Sequence, residues 1–80
     1  MYLSPQAKLD KQIQDQRDAL AEVIFRLRSK KGLSQQALAD IADIDRKTVN
    51  RIECGHFSPS IDTLVRLGDA FRLKPAKLLG

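Results

Sequence analysis

Large apolar residues recur at intervals of three and four along most of this chain, and few stretches alternate as a half-buried strand would. The pattern predicts an all-α protein. A first helical segment spans roughly Ser4 to Lys31, with Leu9, Ile13, Leu20, Ile24 and Leu27 at helical spacing. Ser4 is its expected N-cap, Pro5 fits the first helical position, and Lys30-Lys31-Gly32 supplies basic residues and a glycine stop. Its opening part, KLDKQIQDQRD, has only Leu9 and Ile13 as large apolar residues, a pattern that fits one long helix or two with a break. A second helix runs from Gln35 to Ala42 behind the N-cap Ser34, with Leu38, Ile41 and Ala42 facing inward. The turn Asp43-Ile44-Asp45 follows, with Asp43 in a left-handed conformation and Asp45 capping a third helix, Arg46 to Cys54. Gly55 stops that helix, and His56 to Pro59 form a loop. Ser60 caps a fourth helix, Ile61 to Phe71, and Lys74-Pro75 opens a short last one that ends in Leu78-Leu79. Leu27, Leu38, Val49, Ile52, Leu64 and Leu67 are the expected core.

The third helix sorts its residues by chemistry. On a wheel of roughly 100° per residue, Arg46, Lys47, Asn50 and Arg51 share about 140° of surface, and Thr48, Val49 and Ile52 lie opposite. An apolar back and a basic, amide-bearing front suit a helix that enters a DNA major groove. There Arg and Lys pair with guanine O6 and N7, and Asn pairs with adenine N6 and N7.

Composition narrows the alternatives. Eighty residues allow one domain with a modest core. No apolar run approaches the roughly 18 residues of a membrane span, and MYLSPQAKLDKQIQDQ holds no apolar signal core. The single cysteine, Cys54, has no disulfide or metal partner in the chain, which points to a cytoplasmic protein. His56 is the only histidine, and there is no Gly-rich phosphate loop, so neither an enzyme nor a metal or other cofactor is expected. A net charge of +4 accords with a nucleic-acid partner.

From about Leu20 to Leu79 the chain resembles the helix-turn-helix domain of the lambda-repressor, Cro and XRE family. The resemblance is carried by Arg28, the KKGLSQQALA run from Lys30, the TVNRIECG run from Thr48, Pro59 with Ile61 and Leu64, and the closing FRLKPAKLL from Phe71. It implies a lambda-repressor-like five-helix DNA-binding domain over residues 20–80, with residues 1–19 as an N-terminal helical extension outside the match. It also implies roles. Arg46, Lys47, Asn50 and Arg51 fall at or beside the base-reading positions. Gln35, Thr48, His56 and Ser58 fall where relatives touch phosphate. Arg28 and Glu53 match a pair that ties the first helix to the end of the recognition helix. Ala39 stands where the family needs a small residue for two helices to cross. The departures are Asp43 in place of the usual glycine, Ala42 where a large aliphatic is common, and Cys54, which is usually polar and is expected here to be half-buried.

The function implied is a sequence-specific transcriptional regulator of bacterial or phage type, cytoplasmic and nucleoid-associated when bound. As a repressor it would act as a homodimer on a palindromic operator with half-sites about 34–36 Å apart. The last helices, with Leu78 and Leu79, or the N-terminal segment would supply the dimer contact. A restriction–modification controller fits the same reading. The alternatives are a DNA-binding antitoxin with a toxin as protein partner, and an adaptor that keeps the fold without reading DNA.

Overall fold

The computed structural model describes residues 4–80, which form five α-helices: α1 (Pro5–Lys30), α2 (Gln35–Ala42), α3 (Arg46–Glu53), α4 (Ile61–Phe71) and α5 (Pro75–Leu79). Leu3 lies outside the described residues. α1 is one unbroken helix. No glycine or proline interrupts it after Pro5, and its polar half is laced by pairs one turn apart. Gln6 donates to Asp10 at 2.8 Å, Lys11 pairs with Asp15 at 2.9 Å, and Gln14 donates to Asp18 at 2.9 Å. Such pairs are worth only about 0.2–0.5 kcal/mol each, but nothing opposes them. At 1.5 Å per residue, α1 is about 39 Å long, which accounts for most of the 44 Å longest dimension of the molecule. The radius of gyration, 13.5 Å, exceeds the roughly 12 Å of a compact chain this size.

The core lies between the C-terminal half of α1 and the other four helices. α1 packs on α3 and α5, α2 on α3 and α4, and α4 on α5. Leu20 and Ile24 meet Leu38, Ala39, Ala42, Val49, Ile52, Leu64, Leu67, Phe71 and Leu78 there, and no described polar residue is buried with them. Ala39 is fully buried at the crossing of α2 and α3, where a larger side chain would push the helices apart. Two expectations fail at the edges. Ile41 is 56% exposed, because it stands about 100° off the line set by Leu38, Ala39 and Ala42. Leu27 is half-buried at the flank of the Leu20–Ile24 stripe. Leu9 and Ile13 continue the apolar spacing, yet both are exposed because no helix covers that end of α1.

Helix ends follow two rules. At the start of α1, α2 and α4, the Oγ atoms of Ser4, Ser34 and Ser60 accept from the N–H of Ala7, Ala37 and Thr63 at 3.0–3.1 Å. Asp45 makes no side-chain cap bond to α3, and α3 ends at Glu53 with Cys54 as its cap residue. At the end of α1, α2, α3 and α4, a left-handed residue is followed by an N–H that reaches back five residues. Gly32 and Gly55 fill two of these left-handed sites, and Asp43 and Arg72, at φ 56° and 57°, fill the others. The α2–α3 turn is closed this way by Ile44 N–H on the Ala39 carbonyl at 3.0 Å, which fixes the angle of α3.

Candidate nucleic-acid interface

α3 presents the face that its sequence implies. Val49 and Ile52 are buried against the core, Thr48 is half-buried, and Arg46, Lys47, Asn50 and Arg51 are exposed. Among the described residues, none of the three cations on this helix lies within ion-pair range of a carboxylate. Their charge is free for an outside anion. Cys54 is exposed rather than half-buried. It stands about 80° from Arg46 on the wheel, inside the polar sector, and its Sγ lies 3.9 Å from Asn50 Oδ1.

Behind this face a polar chain links three helices. Arg28 of α1 makes a two-pronged bond to Glu53, Nε to Oε2 at 2.7 Å and Nη2 to Oε1 at 2.9 Å. Its Nη1 donates to the Leu33 carbonyl at 2.8 Å, and its guanidinium lies 5.4 Å from the Phe25 ring centre. The side chains are 14% and 5% exposed, so the pair is largely out of water. The hydrogen bond to Glu53 raises the Arg28 pKa above its ordinary value, against the opposing effect of burial, and the charge of Glu53 adds to the rise. Gln35, at the start of α2, donates through Nε2 to Glu53 Oε1 at 3.2 Å and to Asn50 Oδ1 at 3.3 Å. Both hydrogens of that amide are thereby used. A phosphate is reached from Gln35 only if the side chain leaves one of these partners, or through the backbone N–H.

The loop after α3 is held from an unexpected direction. His56 is exposed, and its backbone N–H donates to the Arg51 carbonyl at 3.1 Å. Ser58 Oγ accepts from Arg17 Nε at 2.8 Å, and the Gly55 carbonyl accepts from Gln14 Nε2 at 2.7 Å. Glycine suits position 55 by its backbone, and a side chain there would displace Asp18. The φ of Gly55 is +73°, and a Cβ there would meet Asp18 Oδ1 at 2.7 Å. Sequence reasoning missed Gln14 and Arg17. The available signal was angular: counted back from Ile24, they fall about 80° and 20° away on the wheel, continuing the stripe of Leu20 and Ala21 beyond its apolar part.

Elsewhere the surface offers less chemistry. An apolar groove of about 340 Å³ runs between α1, this loop and the last two helices, lined by Ile13, Leu20, Phe57, Pro59, Leu64 and Leu79 among others. No group of His, Cys, Asp and Glu able to hold a metal ion occurs among the described residues. No described helix is long and apolar enough to cross a membrane.

Comparison with known proteins agrees with this geometry. A family model described as helix-turn-helix, HTH_3, matches residues 24–78. The restriction-modification controller protein C.AhdI from Aeromonas hydrophila is 31% identical, with 78% of this chain and 94% of that one covered and a TM-score of 0.73. A hypothetical transcription factor, NHTF, from Neisseria is 28% identical over 85% of this chain and 78% of that one, with a TM-score of 0.77. An HTH_3 family transcriptional regulator from Vibrio cholerae, 24% identical over 82% of this chain and 37% of that one at a TM-score of 0.77, shares the fold. Among curated proteins none matches.

Proposed function

The chain belongs to the helix-turn-helix family HTH_3, and from that membership we propose that it is a sequence-specific DNA-binding repressor that works as a homodimer on a palindromic operator. The observation that carries the reading is the set of three cations, Arg46, Lys47 and Arg51, on the exposed face of α3, without an ion-pair partner among the described residues. With Asn50 beside them they read base edges in the major groove. Gln35, Thr48, His56 and Ser58, which match positions where relatives touch phosphate, take the phosphates, which fix register without reading sequence. Glu53 and Arg28 hold the end of α3 at the angle this requires.

Homodimerisation follows from size. One such unit buries too little surface for tight, specific binding, and two related by a twofold axis double the reading. Leu78 is buried within its own subunit and is not available to a partner. Ile61, Val65, Leu73 and Leu79 on or beside the last two helices, and Leu9 and Ile13 on α1, are the uncovered apolar residues that support a contact.

A restriction–modification controller is the second reading. It is favoured by the likeness to C.AhdI, nearly all of whose length this chain covers. Selection of bound duplexes from a random pool tests the proposal. A palindromic consensus is the expected result, and recovery of no preferred sequence would refute specific reading. Location of that consensus upstream of the protein's own gene, beside a nuclease and a methyltransferase, separates the controller from a general repressor.

A further inference from the structure

We propose that Arg17 and Gln14 are positioning residues for DNA backbone contact: Arg17 aims the Ser58 hydroxyl, and Gln14 fixes the loop that carries it. The proposal rests on the DNA-binding reading and goes beyond it, since both residues lie outside the segment 24–78 that matches the family.

The chemistry lies in the hydroxyl. A serine Oγ has one proton to give and two lone pairs to receive. The Arg17 Nε–H, 2.8 Å away, occupies a lone pair, so the proton of Ser58 is left to point elsewhere. A hydroxyl that accepts from a charged donor becomes a better donor itself. Ser58 is exposed, and Arg17 has no carboxylate in ion-pair range among the described residues. The polarised O–H therefore faces solvent, where a phosphate oxygen is its natural acceptor.

Gln14 secures the other end of the loop. Its Nε2 donates to the Gly55 carbonyl at 2.7 Å and to Asp18 Oδ1 at 2.9 Å, and its Oε1 accepts from Arg17 Nη1 at 3.5 Å. One turn of α1 thus grips the loop at Gly55 and at Ser58. A connecting loop is ordinarily the mobile part of a fold. Pinning it in advance removes part of the ordering cost of DNA binding.

The test is a double-mutant cycle in DNA affinity, read by fluorescence anisotropy on the selected operator and on a scrambled duplex. Ser58→Ala and Arg17→Met are each expected to lose about 3–10-fold on both duplexes, since phosphate contacts do not read sequence. The double variant should lose no more than the worse single one. Gln14→Ala should lose affinity by a similar factor and speed hydrogen exchange at the amides of residues 55–58. Circular dichroism melts confirm that binding is measured on folded protein. Multiplicative losses in the cycle would overturn the proposal, as would losses that vanish when the temperature is lowered. A log-affinity against log-salt slope reduced by about 0.9 in Arg17→Met, the value of one neutralised phosphate, would make Arg17 a direct contact and overturn its positioning role. Failure of the unaltered protein to bind any duplex would remove the DNA-binding reading itself. Unaltered binding with unaffected variants would remove the positioning role alone.

Discussion

Two single-residue changes near helix ends are expected to act with opposite signs. Asp43 holds a left-handed conformation at φ 56°, and its exposed ion pair with Arg66, at 3.2 Å, contributes little. Asp43→Gly relieves about 1–2 kcal/mol of backbone strain and costs about 0.4–1 kcal/mol of unfolded-state entropy, so a net gain of about 0.5–1 kcal/mol is expected. Gly68 invites the reverse substitution, since alanine normally stabilises a helix interior. There a Cβ would meet the Leu73 carbonyl at 2.5 Å, and that carbonyl belongs to backbone that cannot swing away. Gly68→Ala should therefore lose about 1–3 kcal/mol, in keeping with the cost of overfilling a packed site. Urea titrations measure both. The Arg28–Glu53 pair is the third test at this scale. Removing one partner strands a charge with 14% or 5% of its side chain exposed. Arg28→Met or Glu53→Leu alone should cost about 3 kcal/mol, the low end for buried pairs, and the double variant much less than the sum. Additive losses would show the two to be independent. The raised Arg28 pKa makes its contribution present below the unfolded value and lost only as pH rises through a still higher one. On the arginine's account, stability should be flat across neutral pH.

At the scale of the element, α3 is expected to divide from the start of α2. If Arg46, Lys47 or Arg51 reads a guanine, its alanine variant loses about 1–3 kcal/mol on the operator and tolerates other bases at that position. Gln35→Ala should instead weaken binding to all sequences alike and leave the salt dependence nearly unchanged. Uniform losses with a flattened salt slope for all three cations would reduce α3 to a non-specific clamp. The starts of α2 and α4, the glycine stops after α1 and α3, and the face of α3 were legible because caps, stops and apolar spacing are local signals. Ile41 was misread because it stands about 100° off the line of Leu38, Ala39 and Ala42, and the exposed Leu9 and Ile13 mark what spacing alone leaves open. Periodicity reports which side of a helix is apolar, not whether another element covers it. The grip of Gln14 and Arg17 on the α3–α4 loop joins residues 41 positions apart, a juxtaposition with no trace in any short window of sequence.

For the whole molecule the expected state is a dimer on DNA. Sedimentation with a palindromic operator should give two chains per duplex, and one chain per operator at saturation would count against the proposal. Which exposed apolar surface serves was not legible from the sequence. Leu78 and Leu79 read alike there, yet the turn of α5 buries the first and leaves the second 47% exposed. The polar chain from Arg28 through Glu53 and Gln35 to Asn50 has a consequence for descent. Asn50 is bonded into the framework, whereas Arg46, Lys47 and Arg51 have no ion-pair partner among the described residues. Mutation can rewrite those three with little effect on folding, but a change at Asn50 disturbs the brace as well. A lineage moving toward a new operator would be expected to drift first at Arg46, Lys47 and Arg51, and to keep its amide at Asn50 longest.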